Sequence, residues 1–189
     1  SFDKAETAEK GESLNLARRQ ARLLRRRLYR RAWRLTKLAR LFKREGLIDS
    51  NKFFKQTPTF AEQDLTDATG KRKRVISTWE LRVQGLDRLL TREEWARVIY
   101  HVCKHRGFHW TSKAAEAKEE SDSDSEGGRV KQGLKSTQHL MQEKGYRTTA
   151  EMVLVEFPQA QRNKQGQYDK ALSRVLLDKE LAALFKAQR

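Results

Sequence analysis

The chain has 189 residues, with 41 basic and 25 acidic side chains, a formal net charge of +16 at pH 7 and a sequence pI of about 10.2. No apolar run approaches the ~20 residues that span a bilayer, which excludes a membrane-spanning protein. Cys103 is the only cysteine, so the chain cannot form an internal disulfide, and a reducing cytoplasmic setting is expected. The composition predicts a mostly helical protein whose partner is a polyanion.

The first predicted element is a long helix over residues 13–46, after a polar linker at residues 1–12. Ser13 suits the N-cap position, and Gly46 suits the position that ends a helix. Apolar residues recur at three- and four-residue steps and predict one narrow stripe on a helix ~48 Å long. The stripe comprises Leu14, Ala17, Ala21, Leu24, Leu28, Ala32, Leu35, Leu38 and Phe42.

The other faces of this helix are basic. Thirteen basic residues, eleven of them arginine, stand against the single acid Glu45, so the helix carries +12 and the rest of the chain +4. Arginine binds phosphate with a planar fork and is weakly hydrated, which favours a nucleic-acid partner. A solvated charged face is the main alternative. A coiled coil would need acidic residues beside the apolar stripe, and there are none. Charge alone does not choose between RNA and DNA.

A connector and a helical pair follow the long helix. Residues 47–77, with Pro58, Gly70 and the basic cluster at 71–74, are interpreted as a connector. Two segments with capping-box spacing come next, Ser77 to Glu80 and Thr91 to Glu94. Gly107 is expected to end the second of these helices.

The last third of the chain predicts further helices and no strand of any length. Residues 113–128 contain no large apolar residue and are interpreted as a disordered acidic loop. A helix should run from about Leu134 to Gly145, a short one from Thr148 to Phe157, and a last one over 173–186. The predicted fold is all-α: a long arginine-rich helix followed by a helical domain at residues 78–189.

Two groups of residues suggest a metal site but are better explained without one. His101, His105 and His109 recur every four residues beside Cys103, but Gly107 ends the helix before His109. We therefore expect a packed cysteine and partly exposed histidines.

Other isolated features also have simpler readings than a site. Asp122, Asp124 and Glu126 belong to the acidic tract, where nothing fixes their geometry. The cluster at 71–74 is read as a connector or an extra RNA contact rather than a localisation signal. Trp33 could stack on a base or pack on the neighbouring helices. No catalytic residue, metal ligand or cofactor of this chain is predicted.

Four sequence blocks resemble one family. The run SLNLARRQARLLRRRLYRRAWRLTKLARLFKREGL resembles the arginine-rich bridge helix of the type II CRISPR RNA-guided DNA endonucleases. The run WELRVQGLDRLLTREEWARVIYHVCKHRGF is similar to the start of that family's recognition lobe. GYRTTAEMVLVEF and RNKQGQYDKALSRVLLDKELAALF, the latter with Arg162, Asn163, Gly166 and Tyr168, are similar to the next blocks in the same order. The compact, Neisseria-like subgroup is the nearest in pattern.

The resemblance implies a set of RNA-binding residues. In the family, the bridge helix and lobe hold the seed of the guide RNA through its phosphates, and base pairing reads the sequence. The positions that match the family's seed contacts are Arg19, Arg22, Arg26, Arg27, Arg30, Arg34, Arg106 and Gly107. Arg31 and Lys104 match contacts to the scaffold part of the RNA. Gln20 and Ala32 depart from the basic pattern, so no contact is expected from them.

The resemblance also implies partners and missing parts. The expected partners are guide RNA and, in the whole protein, target DNA. The family's RuvC and HNH nuclease sites, which need Mg²⁺, should lie outside this chain. A second hypothesis is that an acidic anti-CRISPR protein binds the same basic helix. An unrelated ribosomal or chromatin protein fits the charge but not the ordered blocks, and an independent enzyme is the least favoured reading.

Overall fold

The computed structural model describes residues 14–56, 64–66, 72–74, 76–109, 126–158, 163 and 167–189. The elements in chain order are α1 (Leu14–Arg44), α2 (Phe53–Gln56), β1 (Asp64–Thr66), β2 (Arg72–Arg74), α3 (Thr78–Gln84), α4 (Arg92–Lys104), α5 (Glu126–Glu143), α6 (Thr149–Glu156) and α7 (Arg174–Ala187). The all-α prediction is confirmed. β1 and β2 pair antiparallel with Asp64 opposite Arg74, a short hairpin inside the predicted connector.

The long helix ends where the sequence predicts. Gly46 adopts a left-handed φ of +69°. Its amide donates to the Lys43 carbonyl, and the Leu47 amide donates to the Phe42 carbonyl at 2.8 Å. These two bonds form a Schellman motif, which satisfies carbonyls that the helix leaves without partners. The predicted linker at 1–12 and the predicted Ser13 cap lie outside the described residues.

The C-terminal end of α1 packs on α4. Phe42 and Ile48 form a buried cluster with Ala96 and Ile99. Phe54 of α2 stacks on Tyr100 of α4, with ring centroids 3.8 Å apart. The first residues of the predicted connector therefore belong to the core, because their apolar side chains cover α4.

Capping boxes fix the starts of α3 and α4. Ser77 accepts from the Glu80 amide, while the Glu80 carboxylate accepts from the Ser77 amide. Thr91 and Glu94 make the same pair of bonds. At α6, Thr148 accepts from the Glu151 amide. Both predicted capping boxes are confirmed, and the short helix starts at Thr148 as predicted.

A buried ion pair joins four helices. Arg82 of α3 donates from Nε to Glu180 of α7 at 2.6 Å, and both side chains are buried. Arg82 also donates to Thr149 of α6 at 3.0 Å and lies 3.3 Å from Nδ1 of His101 in α4. Several hydrogen bonds to the same pair offset the cost of removing both charges from water. The network fixes how α3, α4, α6 and α7 sit together.

Helix α5 corrects the predicted limits of the acidic loop. It begins at Glu126, so residues 126–128 are helical and the helix starts eight residues before Leu134. Residues 110–125 lie outside the described part. The glycines in this segment oppose a helix by propensity, but tertiary packing overrides them. Gly128 is buried, and a Cβ at Gly133 would collide with the backbone carbonyl of Tyr168.

Candidate nucleic-acid interface

The first half of α1 is a solvent-exposed arginine ladder. Every residue from Asn15 to Arg30 is exposed, including five of the predicted RNA-binding arginines: Arg19, Arg22, Arg26, Arg27 and Arg30. No acidic residue lies in Leu14–Arg44. The predicted apolar stripe is exposed here as well, with Leu24 57% and Leu28 56% accessible. In this half the stripe is not core, because the helix extends beyond the elements that it packs against.

Two rows of arginine run along this ladder. Arg19, Arg22, Arg26 and Arg30 follow three- and four-residue steps and share one face of the helix. Arg27 lies in a second row, which continues into Arg31 and Arg34. The second row leads toward α4, while the first row faces solvent.

Arg34 marks the point where the ladder meets the other helices. Its Nε donates to the backbone carbonyl of Cys103 at 3.3 Å. Burial, followed by the nearby Arg106 guanidinium, lowers the pKa of Arg34. Arg31 and Arg174 act in the same direction. Four guanidinium groups thus lie close enough to influence one another electrostatically.

The turn after α4 is held by Gly107. Gly107 has a φ of +74°, and a Cβ there would lie 2.9 Å from the Ser173 carbonyl oxygen and from the Arg174 amide nitrogen. Both the conformation and the close approach therefore require glycine. The Gly107 amide donates to the His105 carbonyl at 2.8 Å, so in this conformation that amide is already hydrogen-bonded.

Phe108 then joins the turn to α7. Its amide donates to the Leu172 carbonyl, and its carbonyl accepts from the Arg174 amide, each at 2.8 Å. These two bonds form an isolated parallel bridge between Phe108 and Ser173. The turn that carries Arg106 is fixed to the start of α7 by backbone bonds.

A pocket of about 530 Å³ lies between α1, this turn and the segment before α7. It brings together five predicted site residues: Arg31, Arg34, Lys104, Arg106 and Gly107. Other side chains that line it are Trp79, His101, His105, Phe108, Asn163, Tyr168 and Lys170. Among the residues that the structure describes, no aspartate or glutamate lines it. The remaining five predicted residues, Arg19, Arg22, Arg26, Arg27 and Arg30, lie along the ladder outside the pocket.

The sequence pattern did not indicate the side of the pocket opposite α1, which Asn163, Tyr168 and Lys170 line. Asn163 and Tyr168 belong to a sequence block that resembles the family, but their place in a pocket was not predicted. Lys170 donates its amide to Oδ1 of Asn163 at 2.9 Å. Thr137 donates its hydroxyl to the Ala171 carbonyl at 2.6 Å. A single lysine and scattered aromatic residues in a turn-rich stretch carry no periodic signal, so only their proximity in the fold reveals the wall.

The histidine prediction needs a correction. His101 is buried, with 2% of its surface accessible, because it packs edge-on against Trp79 and beside Arg82. Cys103 is half-buried, and burial raises the pKa of its thiol while Arg34 opposes the shift. In the described part of the chain, no three His, Cys, Asp or Glu side chains cluster in a way that could hold a metal ion. Glu126 is the first residue of α5, and Asp122 and Asp124 lie outside that part.

Trp33 lies on the face of α1 that carries the first arginine row. It is half exposed, and the Lys37 ammonium lies 4.0 Å from its ring centroid. In this structure it is therefore not buried against the neighbouring helices. Its ring is accessible for a contact with a ligand.

None of the helices that the structure describes is long and apolar enough to cross a membrane.

The chain is similar in sequence to a protein of known function. It is 31% identical, over 198 aligned positions, to the CRISPR-associated endonuclease Cas9 of Campylobacter jejuni. The match covers 100% of this chain and 18% of that protein. The chain thus spans about a fifth of the length of the relative. No protein-family model matches it.

Solved structures with a similar fold include two of the same protein. Both are crystal structures of Campylobacter jejuni Cas9 in complex with sgRNA and target DNA, one with an AGAAACA PAM and one with an AGAAACC PAM. The first has a TM-score of 0.70 at 29% identity and covers 95% of this chain and 23% of its own. The second has a TM-score of 0.65 at 29% identity and covers 97% and 23%.

Proposed function

We propose that this chain, a homologue of part of the type II CRISPR Cas9 proteins, is the part that binds guide RNA. Residues 13–46 would be the bridge helix, and residues 78–189 the first part of the recognition lobe. The observation that carries the proposal is the exposed arginine ladder, which contains no acid and leads into a pocket with no acid among its described lining residues. The proteins of similar fold were crystallised with sgRNA and target DNA, which supports the same class of ligand.

The ladder would bind the RNA through its phosphates. Each arginine can donate two parallel hydrogen bonds to a phosphate, and the ligand's negative charge would relieve the repulsion between neighbouring arginines. Arg19, Arg22, Arg26 and Arg30 would follow the seed along one face, and Arg27 and Arg34 would extend the contact toward the pocket. Phosphates carry no sequence information, so this grip positions the RNA and leaves base pairing to read the target.

The pocket rim would complete the grip. Arg106 has an exposed side chain and would add a contact to the seed, with Gly107 beside it. A contact from the Gly107 amide would have to replace its bond to His105. Arg31 and Lys104 would bind the scaffold part of the RNA.

The catalytic work of such a protein would be done elsewhere. The RuvC and HNH sites, and the Mg²⁺ that they need, are proposed to lie in other parts of a longer protein of the compact, Neisseria-like subgroup. Target DNA would be a partner of that whole protein, in the bacterial cytoplasm. We propose no catalytic residue and no cofactor for residues 1–189.

Salt dependence tests the phosphate grip. If about six phosphates are neutralised, the logarithm of guide-RNA affinity should fall with the logarithm of salt concentration with a slope of about −4 to −5. Arg26→Ala with Arg30→Ala should weaken binding about equally for any guide sequence and should make the slope shallower by about 1 to 2. Replacing both by lysine should weaken binding less than alanine, because the charge remains and the fork is lost.

A matched control lies on the same helix. Arg40→Ala with Arg44→Ala removes the same charge at the same spacing from the packed end of α1, outside the predicted site. It should cost clearly less affinity than the pair at 26 and 30. A flat salt response, or equal losses from both pairs, would contradict the proposed grip.

An acidic anti-CRISPR protein is the second candidate for the same surface. Tyr29 and Trp33 lie exposed beside the arginines, and protein interfaces are enriched in aromatic residues and arginine. Such an inhibitor would compete with guide RNA for the ladder. Arg26→Ala with Arg30→Ala should then weaken both ligands, and an inhibitor that binds the double variant normally would be docking elsewhere.

A further inference from the structure

The pocket combines positive charge with aromatic rings. Binding of phosphates alone would require the positive charge but not the rings. Arg31, Arg34, Lys104, Arg106 and Lys170 line its volume of about 530 Å³, and no aspartate or glutamate is among its described lining residues. Volumes of about 300–1,000 Å³ are typical of pockets that enclose small molecules. The pocket is therefore large enough to enclose a nucleotide rather than only to touch a phosphate.

The guanidinium groups on one side lack anionic partners. Arg31, Arg34 and Arg106 make no salt bridge with any residue that the structure describes. Arg34 donates from Nε to the Cys103 carbonyl, and its two terminal amino groups make no hydrogen bond with the part of the chain that the structure describes. Three like charges around one pocket repel one another, and an anion placed between them would turn repulsion into charge-assisted hydrogen bonds.

The other side offers rings on which a base can stack. Phe108 is 37% exposed, and Tyr168 is half-buried in the pocket wall. Trp79 is a poorer platform, because it is buried and packs against His101 and Arg82. Unstacked bases in RNA are typically held on aromatic side chains while arginine binds the backbone.

Backbone contacts hold both residues of this wall in place. Phe108 is held by its two backbone bonds to Leu172 and Arg174. The Tyr168 carbonyl accepts from the Ala171 amide at 2.9 Å and lies directly against Gly133. A rigid aromatic wall lowers the entropic cost of ordering a ligand.

We propose that this pocket receives one unstacked nucleotide of the bound RNA, with its base against Phe108 and Tyr168 and its phosphate on Arg31, Arg34 and Arg106. The inference rests on the proposed guide-RNA binding and adds to it a single base subsite. The ladder then holds a run of phosphates, and the pocket holds one splayed nucleotide at the end of that run. This arrangement gives the bound RNA a fixed register.

An abasic scan of the RNA tests the subsite. A set of guide RNAs, each with one abasic ribonucleotide at a successive position, would be titrated against the full chain. One position should lose about tenfold or more in affinity, in line with ~1–3 kcal/mol for a stacked base, whereas its neighbours should change little. Arg26→Ala should lower affinity equally for intact and abasic RNA, because it removes only a phosphate contact.

Tyr168 variants assign the effect to the pocket. Tyr168→Ala should remove the penalty at that one position, and Tyr168→Phe should keep it because the ring remains. 2-Aminopurine placed at the same position of the RNA should change its fluorescence when bound to the unaltered chain, which does not depend on any variant folding. RNA that binds tightly with every abasic position equivalent would overturn the subsite and leave the phosphate grip intact. Failure of the chain to bind guide RNA at all would overturn both.

Discussion

The two halves of α1 share one sequence pattern but have different surroundings. From Asn15 to Arg30 every residue is exposed, whereas from Leu38 to Phe42 the apolar stripe packs on α4. Periodicity and charge alone do not distinguish these halves, because each has apolar residues at helical spacing among basic ones. The C-terminal half of α1 therefore anchors the helix, while its N-terminal half stays accessible to a ligand. Stability and binding should then be separable by position.

The largest effect should appear on comparing Phe42 with Leu28. Phe42 is 3% exposed and sits in the cluster that joins α1 to α4, so Phe42→Ala should lower the free energy of unfolding by about 3–5 kcal/mol. Leu28 belongs to the same stripe but is exposed, and Leu28→Ala should stay within about 0.5 kcal/mol. Urea denaturation followed by circular dichroism would measure both. Similar losses from the two variants would mean that the first half of α1 is packed as well.

Gly46 at the end of α1 and Gly107 in the turn after α4 offer a second matched pair. Gly46 and Gly107 both have a positive φ. A Cβ added to Gly46 would have no other atom within 4 Å, whereas a Cβ added to Gly107 would lie 2.9 Å from backbone atoms of Ser173 and Arg174. Gly46→Ala should cost about 1–2 kcal/mol for the left-handed backbone alone. Gly107→Ala should lower the unfolding free energy by about 1–3 kcal/mol more, because the added methyl group would push the turn away from the start of α7. Thermal denaturation of the two variants gives the comparison, and equal costs would show that the turn moves freely.

Much of the fold is predictable from the sequence because its signals are local. The C-terminal end of α1 and the starts of α3, α4 and α6 follow from a glycine and from capping residues that act within a few positions. The start of α5 is not predictable in this way, because Gly133 is favoured only by the Tyr168 backbone that packs on it. The burial of His101 likewise depends on Arg82 and Trp79, which come from another helix.

The candidate site also has a part that is predictable from local sequence signals and a part that is not. The ladder arginines are apparent from spacing, since they lie on one helix. The pocket needs tertiary contacts to assemble, and its aromatic wall, Phe108 and Tyr168, comes from two separate segments. The resemblance named Arg31, Arg34, Lys104, Arg106 and Gly107 one by one, but nothing in the sequence indicated that they surround one pocket with Phe108 and Lys170.

The smallest expected effect concerns pH. A hydrogen bond from Arg88 holds the pKa of the Glu94 carboxyl below its usual value. Stability from this group is therefore present above the ordinary carboxyl pKa and is lost as pH falls through the lowered value. Because the pair is partly exposed, Glu94→Gln should reduce the unfolding free energy at pH 7 by at most about 1 kcal/mol and flatten its pH dependence below about pH 4.5.

The exposed half of α1 should show no such dependence. Leu14–Arg44 contains no aspartate, glutamate or histidine, so its charge is constant between about pH 3 and pH 9. Stability measured from pH 3 to 7 in the Arg26→Ala variant should therefore run parallel to that of the unaltered chain. A change of slope would indicate a carboxylate that contacts Arg26.

Hydrogen exchange with and without guide RNA tests the separation of anchor and ligand surface most directly. In the free chain, amides of Leu14–Arg30 should exchange quickly, because like charge and exposure favour local opening, while those of Leu38–Arg44 should be protected by packing. Guide RNA should slow exchange strongly across Leu14–Arg30 and around Arg106, and should change Leu38–Arg44 little. Protection spread evenly over the helices, or no change in the ladder when RNA is bound, would contradict the account.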